Sequence, residues 1–599
     1  MNPTTRRSIG ISMAMVGVLA GGAVVVSAEP GLVADLRADV NRDGVVDTAG
    51  QSDVAGKQTW TLDRGAIFLP NIGDQHRRCP VKDANGKPLP DDKLAECNDA
   101  SDDVARAPEN LAPLKTVPLG NAPSDVWGTV ATVGPGQDKV RLFVNRAGAW
   151  TKVSGTDRLT ADELRSGVNL GIDAKDVVRD SKIWNGRITV RFTVNDGAKT
   201  ATDHVVLRVS PVLTHHHLQR TQQVLTSEGT DEMPAQQRFV KELADRVKAA
   251  GIDAPLRLFD QEDPWAQDFF EPGYVTMPGA DGKPRGLRIA IRSAQPDRPA
   301  GRQVFEKLRG PGIGAIQIAG RGGGFRSVDS MGNLETIPPY ENRGRSYPVG
   351  RIVMGDTGSA GEGAPDQAMQ TFLRSQEYQT PLMVDTSWLA VGHVDEFVQF
   401  LPAAGRRGWT IAVADPQAGL DLLRTAQRAG HGATRMFSQP EAGAETIDQV
   451  LRNDTLLRAN ALATRRIEAN LRILKRETGV RDDEIVKVPQ LFTTADLSRA
   501  VSKRRQTTKV NMHGLGAYVP GAVNGIVLNS KHYVAAQQWG PVVNGQDIFA
   551  NAVSAAYGKL GMTVHYVDDW SSHHIGGGEV HCGTNTFRET SRPWWPERS

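Results

Sequence analysis

The chain lacks a dominant charge. Seventy Lys and Arg against 68 Asp and Glu leave a formal net charge of +2, which makes no sequence-wide case for nucleic acid or a membrane surface as partner. It also lacks a second long apolar run. Beyond the first 28 residues nothing approaches the ~18 uninterrupted apolar residues of a membrane span, so the mature chain is expected to be soluble and membrane-free. No internal repeat is visible. Cysteine is scarce, with only Cys79, Cys97 and Cys582.

What is present begins with an export signal over residues 1–28. Arg6 and Arg7 precede an apolar run to Val26, and Val26-Ser27-Ala28 ends in small residues, the pattern of a cleavable secretory peptide. Thr5 to Ile9 loosely resembles a twin-arginine signal; a retained anchor is the alternative. Export places the cysteines in an oxidising compartment. Cys79 and Cys97 flank one polar loop where a bridge is plausible, with the pairing left open by the sequence; a bridge there leaves Cys582 as an odd thiol, either reactive or buried and inert.

Length and pattern divide the remainder in two. Residues 29–210 read as β structure: Ile188, Val190, Phe192 and Val194 alternate with polar residues, Asn195-Asp196-Gly197 supplies a turn, and Val205, Leu207 and Val209 alternate again. With a further strand at 140–144 the pattern fits an all-β immunoglobulin-like sandwich. Residues 211–599 mix helices with strands. Phe239, Leu243 and Val247 recur at helical spacing before Gly251; 456–477 is a long amphipathic helix stopped by Gly479; 548–560 is another. Short strands are expected at 256–259, 351–354, 410–414, 526–528 and 563–567.

Three segments carry chemistry. Cys582 follows glycines 576–578 within Gly578-Glu579-Val580-His581-Cys582-Gly583-Thr584-Asn585, and glycine permits close backbone approach to a ligand. A thiol nucleophile needs a proton carrier. His393 is the candidate, in an apolar stretch read as a strand, where His393 and Asp395, two apart, would face one side; a core histidine is the plain alternative. The third segment, Asp263 to Glu271, sets three carboxylates among large apolar side chains, where they need a cation or other partners.

Trp265-Ala266-Gln267-Asp268, Gly392-His393-Val394-Asp395-Glu396-Phe397 and the Cys582 segment resemble, in order and spacing, the three active-site motifs of the protein-arginine deiminases. Asp329-Ser330-Met331-Gly332-Asn333-Leu334-Glu335, Tyr347 to Ile352 and Trp594-Trp595 extend the resemblance over most of 211–599. It implies a pentein-type five-bladed α/β propeller of ββαβ units, and a hydrolase that converts peptidyl arginine to citrulline and ammonia. Cys582 would be the nucleophile and His393 the general acid and base, with Asp268 and Asp395 around the guanidinium and Trp265 in the substrate site. A guanidinium is a planar fork of donors that carboxylates accept well.

The cofactor implied is Ca²⁺. Asp39, Asn41, Asp43 and Asp47 alternate as in the start of an EF-hand loop with Gly44 at the turn, but Gly50 stands where the closing glutamate belongs; Asn71 and Asp74 match further polar positions of the animal enzymes. In the catalytic region the resemblance assigns Gln267, Glu271, Glu335 and the carbonyls of Met331 and Leu334 to one calcium. Phe269 and Arg292 depart from the acidic residues that would hold a second, so one ion is expected there. The animal enzymes' first N-terminal subdomain is expected to be missing.

Competing readings are an enzyme for free arginine or another small guanidine, a thiol protease using Cys582 and His393, and a calcium-binding module with a dead active site. A protease has no use for two buried carboxylates. His215-His216-His217 is read as a solvated linker rather than a metal site.

Overall fold

The computed structural model describes residues 32–320, 324–359, 361–494, 514–590 and 593–596; the export signal lies outside them. Among the described residues no helix is long and apolar enough to cross a membrane.

The N-terminal region forms two five-stranded sheets. One runs, edge to edge, Leu36–Ala38, Ala112–Thr116, Asn169–Ala174, Val140–Arg146 and Ala149–Lys152; the other runs Ala66–Phe68, Thr200–Val209, Arg187–Asn195, Trp127–Val133 and Arg158–Leu159. The alternation read at 187–195 is a half-buried strand, with Ile188, Val190, Phe192 and Val194 inward. It pairs with Thr200–Val209 across the turn at Gly197, whose φ is +84°. Leu114, Val144 and Ile172 of one sheet share a core with Val190, Phe192 and Leu207 of the other.

The catalytic region is built by repetition that the sequence hides. Among the described residues five sheets have one wiring: a central strand with an antiparallel neighbour on one side and a parallel neighbour on the other. Their central strands are Thr221–Ser227, Pro284–Arg292, Arg351–Asp356, Trp409–Asp415 and His532–Ala536. Helical segments cover the step to each parallel partner, such as Pro234–Ala249 before Arg257–Phe259 and Ile548–Gly558 before Thr563–Val567, as a parallel crossover requires. The first sheet takes its antiparallel strand, Thr584–Arg588, from the far end of the chain. Chain closure therefore places Cys582 beside the start of the catalytic region.

Two expectations need correction. The histidine triplet is not a solvated linker: His215, His216 and His217 are all buried. The short strand Leu213–Thr214 pairs with Phe270–Pro278 and draws the triplet inward, where His215 faces Gln219 and His217 faces the carbonyl of Phe400. Burial pushes the His215 imidazole down to about 3, so it is neutral. Nor is the His393 segment a strand. His393 caps the short 3-10 helix Val394–Glu396, its backbone N–H donating to Glu396.

Candidate active site

Four elements meet at the site, each fixed by its own backbone hydrogen bonds. The 265–271 segment is stitched to the Cys582 turn: Gln267 N donates to Cys582 O at 3.2 Å, and Asn585 donates to Phe270 O at 2.8 Å. Asp268 O accepts from Met331 N, which brings in the 331–335 segment. The His393 helix supplies His393 and Asp395.

At their junction lies Gly332. A Cβ there would stand 2.8 Å from His393 Nδ1, 3.0 Å from Asp268 Oδ1 and 3.2 Å from Asp395 Oδ2, so three polar side chains converge on a glycine that has nothing to place among them. Asp268 Oδ1, Asp395 Oδ1 and His393 Nδ1 are buried without hydrogen-bond partners. Buried polar atoms are nearly always paired, and this cluster of unpaired acceptors is what a bound donor would satisfy. His393 Nε2 lies 2.9 Å from Ser327 O. A carbonyl only accepts, so neutral His393 carries its proton on Nε2 and turns the Nδ1 lone pair to the site.

Cys582 is 4% exposed. Asn524 Nδ2 donates to its sulfur at 3.2 Å, Asn524 Oδ1 accepts from Cys582 N, and the thiol lies 3.4 Å from Asp395 Oδ2. Burial, followed by the charges of Asp395 and Asp268, pushes the thiol well above its usual range. The free enzyme therefore holds it neutral. Burial also raises Asp268, opposed by Arg298, which donates to Asp268 Oδ2 at 3.2 Å and grips Asp263 at 2.7 and 2.9 Å. The ring of Trp265 packs against Gly576 and Gly578, leaving no room for side chains there.

The residues assigned to a catalytic-region calcium are together. Gln267, Glu271, Leu334 and Glu335 line one cavity, with His215, His217, His581 and Arg588. Gln267 Nε2 is 2.8 Å from Glu271 Oε2 and 3.5 Å from Met331 O. Burial raises Glu335 to about 7 and, with repulsion from Glu335, raises Glu271 well above its range. Two buried carboxylates that repel each other, with carbonyls beside them, are the oxygen groups Ca²⁺ takes, while the Gln267 amide here presents Nε2 and the Arg588 guanidinium lines the same cavity. Among the described residues no cluster of three or more His, Cys, Asp and Glu is arranged to hold a metal; a site that relies on amide and carbonyl oxygens does not need one. Arg292 is buried with its guanidinium 2.5 Å from Asp91 and 2.6 Å from Gln317.

The N-terminal set gathers only in part. Asp39, Asn41 and Asp43 close one loop, through Asp43 N to Asp39 and Asn41 Nδ2 to Asp43. Burial and the neighbouring Asp53 and Asp43 raise Asp39 to about 7. Asp47 instead turns its carboxylate onto Gly50 and Ser52, because that turn's N–H groups are nearer. Asn71 bonds Asp173 and Asn110, and Asp74 caps the backbone at Arg78 and Cys79. Asp53, which accepts from Val40, Asn41 and Asp47, is the carboxylate the motif does not reveal.

Sequence reasoning also missed Gly332 as a site residue, Asn524, and His581, which lies 2.8 Å from Asp395 and 3.3 Å from Glu335. The adjacency of His581 to Cys582 was the one available signal; nothing local marks Asn524.

Comparison with known proteins bears on this geometry. The family description "Protein-arginine deiminase (PAD)" matches residues 199–596. Protein-arginine deiminase type-4 of Homo sapiens is 29% identical over 595 residues, covering 94% of this chain and 83% of the relative. Type-3 of Homo sapiens is 33% identical over 371 residues, covering 60% and 52%. Among solved structures, an agmatine deiminase of C. jejuni aligns with 64% of this chain and 97% of its own at 12% identity and a TM-score of 0.33, too loose a likeness to argue from.

Proposed function

The chain belongs to the protein-arginine deiminase family, and from that membership we propose how its own residues hydrolyse peptidyl arginine to citrulline and ammonia. One observation carries the reading: Asp268 Oδ1 and His393 Nδ1, both buried without hydrogen-bond partners, converge at Gly332 with the Asp395 carboxylate, whose Oδ2 lies 3.4 Å from the buried Cys582 thiol.

An arginine side chain entering this cradle brings the donors that Asp268 Oδ1 and Asp395 Oδ1 lack. Its positive charge offsets the two carboxylates that hold the Cys582 proton, so substrate binding itself favours the thiolate. The Asn524 amide donates to the developing anion. The thiolate attacks the guanidinium carbon, forming a C–S bond. The proton that Cys582 gives up passes to His393 Nδ1, which delivers it to the departing nitrogen as the C–N bond breaks and ammonia leaves. His393 next takes a proton from water, whose oxygen attacks the same carbon; the C–S bond breaks, the departing sulfur takes the remaining hydroxyl proton, neutral citrulline leaves, and His393 returns its proton to solvent. Citrulline is neutral, so the carboxylates release it.

Calcium would be held in the catalytic region by Gln267, Glu271, Glu335 and the carbonyls of Met331 and Leu334, and in the N-terminal region by Asp39, Asn41 and Asp43, with Asp53 nearby. When bound, it supplies positive charge that cancels the repulsion between Glu271 and Glu335. The five sheets of like wiring are read as blades of a propeller, supported by the return of the last strand to the first sheet, and the two N-terminal sheets as an immunoglobulin-type sandwich. Residues 1–28 are proposed to direct export, in keeping with the Cys79–Cys97 disulfide.

Citrulline formation measured on a blocked peptidyl-arginine amide and on free arginine, each with calcium and with chelator, tests the reading. Turnover of the peptide substrate, abolished in Cys582→Ser, is expected. Preference for free arginine would favour a small-guanidine enzyme, and peptide cleavage without ammonia would favour a protease.

A further inference from the structure

The disulfide joins Cys79 to Cys97 and closes a loop of the N-terminal region, and that loop is packed against the back of the candidate active site. Leu94, fully buried, lies in one core with Phe259, Phe269, Phe270, Val304 and Phe305; Phe269 and Phe270 directly follow Asp268. Asp91 presents one oxygen to Arg292 at 2.5 Å and the other to Arg302. The catalytic region grips the loop in return. Arg302 donates to Leu89 O at 2.8 Å, and Arg309 donates to Leu94 O at 2.5 Å and Cys97 O at 2.6 Å.

Arg292 is the joint between this loop and the site. It stands opposite Phe270 in the antiparallel ladder, and its neighbour Ser293 donates to Phe269 O. Its Nη2 reaches the carbonyls of Pro296 and Arg298, each at 3.4 Å. Gly301 lies flat against it, since a Cβ there would stand 2.5 Å from Arg292 Nε. The turn so held carries Arg298, whose guanidinium binds Asp263 on one edge and Asp268 Oδ2 on the other. A buried charge is tolerated only with partners, so removing Asp91 leaves Arg292 to seek compensation within the turn it now holds.

We propose that the disulfide-closed loop 79–97 is a positioning element for the reaction: Asp91 anchors Arg292, Arg292 sets the 296–298 turn, and the turn aims Arg298 at Asp268. This rests on the role proposed for Asp268. The carboxylate that receives the substrate cation is then oriented by a region remote in sequence, and reduction of Cys79–Cys97 lowers deimination with no change at Cys582.

A double-mutant cycle in the full chain tests it, with citrulline formation from a peptidyl-arginine amide as the readout. Displacement of a reacting group by about an ångström costs up to ~100-fold, so Asp91→Asn is expected to lower kcat/KM about ten- to a hundredfold at a temperature where circular dichroism shows the variant folded. Asp91→Glu should recover most of the loss. In an Arg298→Lys background the added Asp91→Asn should cost less than about twofold, because residues that act through one another are not additive. Cys79→Ser/Cys97→Ser should lose activity in the same direction. Multiplicative effects of Asp91 and Arg298, or a lowered melting point with unchanged kcat/KM in both the Asp91 and the cysteine variants, would overturn the proposal. A wild-type enzyme that forms no citrulline would instead strike the reading of the site itself.

Discussion

At Gly332 the missing side chain is what leaves Asp268, Asp395 and His393 facing a common space. Gly332→Ala places a methyl group there, and kcat/KM for peptidyl arginine should fall about a hundredfold while far-ultraviolet circular dichroism stays native. Normal turnover by that variant would move the guanidinium site elsewhere. The carboxylates themselves are tested by Asp268→Asn and Asp395→Asn, which keep shape and remove charge. Leaving a desolvated guanidinium without its anion costs roughly 2–5 kcal/mol, read as a loss of kcat/KM. A near-wild-type value for either variant would take that residue out of the site.

Between the last helix and the last strand, the turn bearing Cys582 is supported by buried acids. Glu579 is tied to Gly521 N at 2.9 Å and His574 Nδ1 at 2.8 Å, and Asp569 lies buried beside it. Burial raises both carboxyls, and the charge of Glu579 raises Asp569 further. The sign follows from linkage. A carboxyl whose pKa is raised by folding binds its proton more tightly in the folded chain, so stability declines as pH rises from the ordinary carboxylate range toward the raised value. Glu579→Gln removes one of the two titrations. Urea midpoints at pH 5 and pH 8 should therefore differ less in the variant than in the wild type; equal pH dependence would mean that Glu579 does not take up its proton between them. Burial pushes His574 down to about 4, so it stays neutral across that window.

At the scale of the whole molecule, two regions are proposed to bind calcium for different ends. Glu335 lines the catalytic-region cavity together with His581, which contacts Asp395. Asp43 closes a loop in the N-terminal region. Glu335→Ala should weaken the response of citrulline formation to added calcium, whereas Asp43→Ala should lower the calcium-dependent rise in melting temperature and leave the activity response largely in place. Calorimetric titration of the full chain with each variant counts the ions: Glu335→Ala should remove one binding event and no more. The reverse pattern, with Asp43→Ala abolishing the activity response, would sink this division of labour.

What the sequence determined by itself is local and periodic. The alternation at 188–194 dictated a half-buried strand, and the 3.6-residue spacing from Phe239 to Val247, ended by Gly251, dictated a helix, because hydrophobic burial at a fixed period needs only neighbours in the chain. The three chemical segments were legible for the same reason: each motif is short and contiguous. Tertiary structure decided the rest. The like wiring of five sheets among the described residues is not visible as a repeat in the sequence, since many apolar combinations fill a strand of the same length. The histidine triplet became core only through pairing of Leu213–Thr214 with a strand some sixty residues on. Asn524 reached Cys582 across 58 residues, and Asp91 reached Arg292 across 201; such contacts depend on which surfaces are brought together by chain closure, and no local pattern encodes them.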